Sequence, residues 1–367
     1  MIENIASLCL LICFILQLLY YFVFYIRIGL FRCRSSIANS TAPISVIICA
    51  KNEENNLKEN LSKILNQDYP IFEVLVVDDY STDQTFDVLS HFQIEAREKL
   101  KVLTNINAGK KGAIEIGVAN ARHEWLVFTD ADCFPYSNQW LKQLALTFNN
   151  QTEIVLGYGA YTKEKGLLNQ IIRYDTLFIA MQYFSFALAG VPYMGVGRNL
   201  AYRKSLFVRH NGLSKHRDLM SGDDDLFVNQ CATADNTAIA LHRESFTYSS
   251  PKTSFFTWIR QKSRHITTSV RYKLIDKLLV SGELITRSGF YLSFFLLLSC
   301  NASLKEIFIL YFVRFFIASI ILSCVFKRFY EKDLLYTWFL LDLIVPINYL
   351  IITFVTILKP SIRRTWN

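Results

Sequence analysis

The chain has 367 residues, a formal net charge of +8 and a mean hydropathy of +0.24. Apolar residues make up 52% of it, above the share of about 45–50% found in ordinary soluble proteins. Its eight cysteines are scattered without a Cys-x-x-Cys pair, which excludes a disulfide framework and a zinc site of the usual spacing.

The N-terminal apolar run covers residues 5–26, carries no charged side chain and is long enough to cross a hydrocarbon core of about 30 Å as a helix. A cleaved signal peptide is the competing interpretation. The run is too long for it, and neither a basic segment before the run nor a small-residue cleavage site after it is present. Because Arg27, Arg32 and Arg34 follow, we predict a transmembrane anchor over residues 1–34 with the next segment in the cytoplasm.

Residues 40–250 read as one domain in which strand and helix patterns alternate. This order predicts a doubly wound parallel sheet, in which the carboxyl ends of the strands share one crevice. The predicted strands cover 44–50, 72–77, 101–103 and 125–128, and the predicted helices cover 56–66, a segment from 85 onward, and 113–121.

Asp78 and Asp79 follow the second of these strands, where such sheets bind nucleotides. A carboxylate there can accept hydrogen bonds from a base or a ribose. The alternative is that Asp79 or Ser81 only caps the next helix, and the pair alone does not decide between the two. Lys110 lies in a Gly-Lys-Lys-Gly turn before a helix, an arrangement that suits phosphate but is a weak signal on its own.

Asp130 and Asp132 form an Asp-x-Asp pair at the end of the strand Trp-Leu-Val-Phe. Two hard oxygen donors within reach of one ion favour Mg²⁺ or Mn²⁺, which bridge to diphosphate oxygens. A solvated Asx-turn is the alternative. The apolar strand before the pair and the Cys-Phe-Pro turn after it make a metal site the better interpretation.

Three adjacent carboxylates, Asp223, Asp224 and Asp225, stand between Gly222 and an apolar helical pattern. A run of this kind is usually a solvated acidic turn. If one of them projects into the crevice, its negative neighbours raise its pKa above the ordinary value of about 3.9 and make it a better base toward a sugar hydroxyl.

A basic and aromatic stretch over residues 251–283 precedes the second apolar block. It is typical of an interfacial helix on an anionic leaflet, and its position beside a membrane block disfavours nucleic acid as the partner. Gln261 and Arg264 share one helix face, and Arg264 can bind a diphosphate through two parallel hydrogen bonds. A snorkelling arginine at the membrane surface is the alternative.

The second apolar block, residues 284–358, predicts C-terminal transmembrane helices. Asp342 and Pro346 could break the last of them into a re-entrant hairpin. The positive charge of the basic tail, 359–367, favours the cytoplasm, whereas the number of preceding spans places the tail on the external side. The sequence leaves this open. The three candidate spans cover 284–300, 307–326 and 334–358.

Jointly and in this order, the motifs over residues 43–265 resemble the inverting family 2 glycosyltransferases with a GT-A fold. Gly222-Asp223-Asp224 with Asn229 is similar to the hyaluronan-synthase version of that motif. The spans at both ends resemble those of membrane polysaccharide synthases and lipid glycosyltransferases of the cell envelope. The matching runs are Pro43 to Ile48 with Asn52-Glu53-Glu54, Val77 to Asp83, Gly109 to Gly112, Phe128 to Asp132, Gly222 to Asp224, and Gln261 with Arg264.

The resemblance implies a GT-A-type, Rossmann-like, doubly wound mixed sheet in a cytoplasmic domain, with transmembrane helices on both sides. It also implies that Mg²⁺ or Mn²⁺ assists the reaction. The implied roles are substrate binding for Asp78, Asp79, Glu53, Lys110, Asp130, Gln261 and Arg264, metal binding for Asp130 and Asp132, and base catalysis for Asp224, with Asp223 as its rival.

The expected function is the inverting transfer of a sugar, from a UDP-sugar, to a lipid or lipid-linked acceptor. We expect a multi-pass protein of the cell (inner) membrane. His265 departs from the family, which usually has tryptophan after the last motif, and this weakens the alternative of a processive polysaccharide synthase. A non-catalytic membrane scaffold that binds nucleotide sugar is a third hypothesis. The glycine-rich turn 194–199 is expected beside the acceptor.

Overall fold

The fold is described from a computed structural model, which covers residues 2–32, 41–105, 109–300 and 304–358. Three predicted features lie outside these residues: Arg34 of the N-terminal anchor, the Asn107-Ala108 start of the glycine-lysine turn, and the basic tail 359–367.

Within the described residues, ten strands form a seven-stranded and a three-stranded sheet. The larger sheet has the order β3-β2-β1-β4-β8-β6-β9 and the smaller one the order β5-β10-β7. The strands are β1 Ile44–Ala50, β2 Phe72–Asp78, β3 Leu100–Thr104, β4 Trp125–Asp130, β5 Cys133–Pro135, β6 Ile154–Gly157, β7 Gly159–Tyr161, β8 Leu200–Arg203, β9 Thr237–Ala240 and β10 Thr247–Ser249.

The first four strands of the large sheet are parallel, as the sequence predicts, but β8 runs antiparallel to both β4 and β6. The sheet is therefore mixed. Its register pairs Ala50 with Asp78 on one side of β1 and Cys49 with Asp130 on the other. The two acidic motifs thus end on either side of one central strand, at the same edge of the sheet.

Helices cover both faces of the sheet and continue into the apolar ends of the chain. Residues 20–25, between the first two helices, have π-helical hydrogen bonding, so residues 2–30 form one rod. The helices are α1 Ile2–Leu19, α2 Ile26–Leu30, α3 Glu54–Leu65, α4 Thr85–Glu95, α5 Lys110–Asn120, α6 Trp140–Ala145, α7 Leu167–Leu188, α8 Lys204–Arg209, α9 Asp225–Cys231, α10 Phe255–Ser269, α11 Leu274–Ser299, α12 Leu304–Arg328 and α13 Trp338–Leu358.

The two faces of the large sheet belong to different hydrophobic cores because successive side chains of a strand point in opposite directions. Val46 and Ile48 of β1 pack in the core that contains Leu57 and Leu61 of α3. Ile47, between them, faces a second core. That second core runs without interruption from the sheet through α7 to the N-terminal rod and to α12.

Three helices are long and apolar enough to cross a membrane: Ile2–Leu30, Leu304–Arg328 and Trp338–Thr356. This agrees with one predicted N-terminal span and two of the three predicted C-terminal spans. The first predicted C-terminal span, 284–300, is the second half of α11, which begins already at Leu274 and carries Glu283 and Arg287. The predicted boundary at residue 284 therefore falls inside a helix. Of the two possibilities left open for the last segment, the structure has the continuous helix, since α13 is helical through Pro346.

A buried polar cluster joins the helices at the two ends of the chain. Asp342 of α13 forms an ion pair with Arg287 of α11, whose Nη1 lies 3.0 Å from Asp342 Oδ1, and accepts a hydrogen bond from Arg314 Nη2 of α12 at 2.9 Å. Arg314 also donates to Gln17 of α1 at 3.2 Å, and Arg287 pairs with Glu283 one turn earlier. All five side chains are buried. Two positive and two negative charges balance, which is the condition under which charges are tolerated away from water.

Candidate active site

The candidate site lies where β1 and β4 end and where α5 and α9 begin. A cavity there is lined by polar groups from four separate segments of the chain, and Ile114, Phe128 and Tyr202 form part of its apolar wall. Carboxyl ends of parallel strands and amino ends of helices converge at this edge, as in other sheets of this type. The lining polar residues are Lys110, Thr129, Asp130, Gly197, Asp223 and Asp224.

Lys110, in the first turn of α5, links two of the predicted acidic motifs. Its Nζ lies 3.0 Å from Asp130 Oδ1 and 3.2 Å from Asp223 Oδ2. Burial acts to raise the pKa of Asp130, but the Lys110 ammonium outweighs it and the pKa is lowered. Burial likewise acts to lower the pKa of Lys110, and Asp130 and Asp223 raise it above its ordinary value. Lys110 and Asp130 are therefore both charged at neutral pH.

The predicted metal pair is brought together with a third side chain. Ligand atoms of Asp130, Asp132 and Cys133 lie within 4.8 Å of one another, and Cys133 Sγ is 3.2 Å from Asp132 Oδ1. Burial and the nearby charge of Asp130 raise the pKa of Asp132. A divalent cation would offset both effects, and carboxylate oxygens are the donors that Mg²⁺ and Mn²⁺ prefer. The residues present thus fit a divalent metal.

Glu53 approaches the same pair from the start of α3. Its carboxylate accepts a hydrogen bond from Asn56 Nδ2 at 2.5 Å. Burial raises the pKa of Glu53 to about 7, with smaller contributions in the same direction from Asp132 and Asp130. The structure therefore places this predicted substrate-binding residue beside the metal pair.

Asp224 precedes α9 and is held by backbone groups. Its Oδ2 accepts from Gly197 N at 2.6 Å, and its Oδ1 accepts from Asp225 N at 2.8 Å. Burial, followed by the charges of Asp223 and Asp225, raises the pKa of Asp224 to about 7. A carboxyl group with such a pKa is well suited to accept a proton at neutral pH. A Cβ at position 197 would lie 3.3 Å from Asp224 Oδ2, so glycine leaves room for this contact.

Asp225, the last of the three adjacent carboxylates, faces away from the cavity toward the segment that joins α10 and α11. It accepts hydrogen bonds from Tyr272 Oη at 2.6 Å and from Thr268 Oγ1. Its contacts are those of a residue that holds α9 against α10.

Asp78 and Asp79 are both buried and do not line the cavity. Asp79 accepts from Asn105 Nδ2 at 2.6 Å and from Gly109 N at 2.9 Å, so it binds both Asn105 and the residue directly before Lys110. Asp78 accepts from Ser81 Oγ at 2.5 Å. The cap of α4 is Gln84, so the alternative that Asp79 or Ser81 caps this helix is wrong.

The last predicted motif lies on α10, which borders the site. Gln261 Nε2 donates to Tyr161 Oη at 3.3 Å, while Gln261 Oε1 is buried without a hydrogen-bond partner among the described residues. Burial, together with Arg260, lowers the pKa of Arg264. His265 is near enough to contribute to the lowered pKa of Asp130. Neither Gln261 nor Arg264 lines the cavity.

Arg198 is a candidate residue that the motifs did not identify. Its Nη1 donates to Ser249 Oγ at 3.0 Å, and its guanidinium lies 4.4 Å from the centre of the Tyr161 ring. Burial acts to lower its pKa, but Tyr161, Cys133 and the two metal-pair aspartates raise it. The available signal was its position in the turn 194–199, directly after Gly197, which was expected beside an acceptor.

Comparison with known proteins supports the expected family and fold. Residues 45–210 match the family model described as Glycosyl transferase family 2. Glycosyltransferase AglE of Haloferax volcanii is 31% identical over 177 residues, which are 47% of this chain and 54% of that protein. A Methanococcus voltae protein is 30% identical over 153 residues, 40% of this chain and 46% of that protein. Its name is dolichyl N-acetyl-alpha-D-glucosaminyl phosphate 3-beta-D-2,3-diacetamido-2,3-dideoxy-beta-D-glucuronosyltransferase.

The chain thus spans about half the length of these two curated relatives. The structural match extends further. A mannosyltransferase from Pyrobaculum calidifontis, solved in complex with GDP-Man and Mn²⁺, superposes with a TM-score of 0.62 at 18% identity. The match covers 95% of this chain and 99% of that one. Together with the mixed sheet, it confirms the predicted fold class: the chain has the GT-A fold, and its residues 45–210 are the part that matches the family 2 glycosyltransferase model.

Proposed function

We propose that the chain transfers a sugar, with inversion, from a UDP-sugar to a lipid or lipid-linked acceptor. The observation that carries this proposal is the position of Asp224. Its carboxyl group, with a pKa raised to about 7, borders the same cavity as Lys110 and Asp130. A base and a charge-neutralising cluster at one cavity are what a direct displacement at a sugar carbon requires.

In the proposed reaction, Asp224 accepts the proton of the acceptor hydroxyl as that oxygen bonds to the anomeric carbon. The bond from this carbon to the diphosphate oxygen breaks, and the diphosphate leaves with the electron pair. Attack and departure occur on opposite faces of the sugar, which gives inversion. Lys110 and Arg198 supply positive charge beside the metal pair.

We assign the metal to Asp130 and Asp132, which would hold Mg²⁺ or Mn²⁺ with Cys133 adjacent. When bound, this ion supplies Lewis-acid stabilisation of the negative charge on the departing diphosphate. Asp78, Asp79, Gln261 and Arg264 are proposed to act at the borders of the donor and acceptor sites.

The lipid acceptor is supported by the three helices that can cross a membrane and by the buried contacts of the domain with all three of them. We propose that they embed the protein in the cell membrane with the transferase domain on the cytoplasmic side. The helix α10 then lies along the membrane surface, where Phe255 and Phe256 are exposed. The Methanococcus voltae relative is named for transfer to a dolichyl phosphate-linked sugar, which is consistent with this acceptor class.

The test uses the full chain in detergent or nanodiscs, with a panel of nucleotide sugars and a membrane-lipid extract as acceptor. Products are identified by mass spectrometry. Asp224→Asn is expected to reduce transfer by about 10²- to 10⁴-fold, the usual contribution of a general base, while nucleotide-sugar binding measured by calorimetry stays close to wild type.

Asp235→Asn, a change at an exposed aspartate in a turn, is the matched control and should transfer at the wild-type rate. Normal transfer by Asp224→Asn would contradict the mechanism. Product length separates the two enzyme hypotheses, because a single added sugar supports the proposal and a polymer supports a processive synthase. Binding of nucleotide sugar without transfer to any acceptor would favour a scaffold.

A further inference from the structure

A second cavity, of about 440 Å³, lies on a part of the molecule that the proposed reaction does not use. Three separate parts of the chain form its walls: the end of the N-terminal rod, the segment after β9, and the last turns of α12 with Tyr330 just after them. None of its lining residues lines the catalytic cavity. They are Gly29, Leu241, His242, Arg243, Cys324, Lys327, Arg328 and Tyr330.

Three of the lining residues are permanent cations, and none of them has a carboxylate partner within 4.0 Å in the described part of the chain. Arg243 is stacked between the rings of Tyr136 and Tyr330, at 4.3 and 4.6 Å from their centres. Arg328 donates to the carbonyl of Phe31 at 2.6 Å. These contacts fix two guanidinium groups in place without neutralising them.

Two of the acidic residues nearest in sequence are occupied elsewhere. Glu331 forms an ion pair with Arg173 of α7, and Asp333 pairs with Arg173 and Lys163. Glu244 lies 3.7 Å from Nδ1 of the lining residue His242 and is the one nearby carboxylate among the described residues that lies beside the cavity wall. The Lys327 ammonium has neither a hydrogen bond nor an ion pair among the described residues. With three cations against one carboxylate, the cavity carries a net positive charge that the protein itself does not fully balance.

The position of the cavity identifies the anion that can reach it. Gly29 and Arg328 lie at the ends of two of the candidate spans, Ile2–Leu30 and Leu304–Arg328. Both ends lie beside the transferase domain, so the cavity is at the level where a bilayer presents its headgroups. Leu241 and Cys324 add apolar wall on which a glycerol backbone can pack. Anionic headgroups are attracted to basic groups at this level.

We propose that this cavity binds the phosphodiester headgroup of an anionic phospholipid in the leaflet that faces the transferase domain. Lys327 supplies the unpaired ammonium, and Arg243 and Arg328 supply fixed guanidinium groups. The bound lipid joins the N-terminal rod, the domain and α12, which all contribute to the cavity. It is a stabilising ligand, and it is not consumed by the transfer reaction.

The experiment uses the full chain purified in mild detergent and exposed to phosphatidylglycerol, phosphatidylcholine or inorganic phosphate. Native mass spectrometry counts retained lipids, and a thermal-unfolding assay measures stabilisation. We expect one phosphatidylglycerol to be retained per chain and to raise the melting temperature more than phosphatidylcholine. Lys327→Gln should weaken its apparent affinity by about 10-fold or more, the effect of losing one hydrogen bond to a charged group.

Lys305→Gln is the matched control, since Lys305 lies in the first turn of the same helix, at the opposite end of the span. It should retain the lipid as wild type does. Lys327→Gln is expected to fold, because the Lys327 side chain makes no polar contact within the described residues; Arg243→Gln provides a second variant at the same cavity. Equal retention of the two phospholipids, or wild-type affinity in both cavity variants, would overturn the proposal. Stabilisation by inorganic phosphate equal to that by phosphatidylglycerol would assign the cavity to a free anion instead.

Discussion

Three neighbouring aspartates of this chain receive different environments from residues far away in sequence. Asp223 pairs with Lys110, Asp224 is held by the amide of Gly197, and Asp225 bonds to Tyr272. The local sequence shows only three carboxylates before a helix. The resemblance to a family pointed to Asp224, and its negative neighbours predict a raised pKa, whereas the burial that contributes most to this shift depends on long-range packing that no local pattern contains.

The pH dependence of transfer should show an acidic limb with a midpoint near pH 7. Asp224 must be deprotonated to act as the base, and its pKa is raised to about 7. Below this pH, kcat/KM should fall about tenfold per pH unit. The measurement is a pH series of initial rates with donor and acceptor well below saturation.

Glu53 provides the control for this assignment because its pKa is also raised to about 7. Glu53→Gln should change the rate but keep the acidic limb. If the limb disappears in Glu53→Gln, it belongs to Glu53. A limb near pH 4 in the wild type would mean that the carboxyl of Asp224 is not shifted during turnover.

Asp78 and Asp79 are expected to behave differently when each is changed to asparagine. The Asp79 carboxylate accepts two N–H groups in a buried position, so Asp79→Asn should lower the free energy of unfolding by about 1–3 kcal/mol. Asp78→Asn retains an acceptor for Ser81 and should mainly weaken donor binding. Thermal unfolding and donor titration measure the two effects. Equal melting temperatures for both variants would remove the distinction.

At the scale of elements, the strands β1 to β4 and their helices could be predicted to within a few residues because apolar periodicity is a local property. The antiparallel strand β8 and the length of α11 could not. Leu200 of β8 pairs with Phe128 of β4 and with Leu156 of β6, which lie 72 and 44 positions earlier along the chain. The continuity of α11 could not be predicted because the charged residues Glu283 and Arg287 interrupt its apolar pattern. In the structure these charges are neutralised by one another and by Asp342.

Removal of Asp342 tests the buried polar cluster. Asp342→Asn leaves Arg287 and Arg314 buried with only Glu283 as a counter-charge, and it should cost about 3–5 kcal/mol, as when one partner of a buried ion pair is lost. Chemical unfolding in detergent measures this loss. Glu306→Gln, a change of an acid in the first turn of α12, is the control and should have little effect.

The double variant Asp342→Leu with Arg314→Met adds a further check. Replacing both partners by apolar side chains removes the unpaired charge, so it should be less destabilising than Asp342→Asn alone. Additive losses in the double variant would mean that Asp342 and Arg314 do not depend on each other.

At the scale of the whole molecule, the N-terminal rod packs into the hydrophobic core of the sheet domain. Tyr21, Tyr25 and Ile28 are buried in the same core as the sheet and α7. The rings of Tyr25 and Phe178 meet edge to face at 6.2 Å. Hydropathy alone predicts that such a segment crosses a membrane, but it does not predict which side packs against the domain.

Two aromatic residues of the rod should therefore respond differently to truncation. Tyr25 is 1% exposed and Phe22 is 52% exposed. Tyr25→Ala should reduce the free energy of unfolding by about 3–5 kcal/mol, as for other large aromatic residues in a core, and Phe22→Ala should change it little. Thermal unfolding in nanodiscs gives both values. If Tyr25→Ala lowered the free energy of unfolding as little as Phe22→Ala, the rod and the domain would be independent in stability.

Under the proposed function, this shared core also sets the reach of the transferase domain. Because the sheet and the rod are packed together, a bilayer crossed by the rod would lie at a constant distance from the acidic edge of the sheet. The proposed lipid-borne acceptor would have to present its hydroxyl at that distance, so the length of its polar head, between the lipid anchor and the reacting oxygen, would become a criterion of selection. Acceptors with the same terminal sugar but shorter or longer polar heads would then be selected by the length of the head.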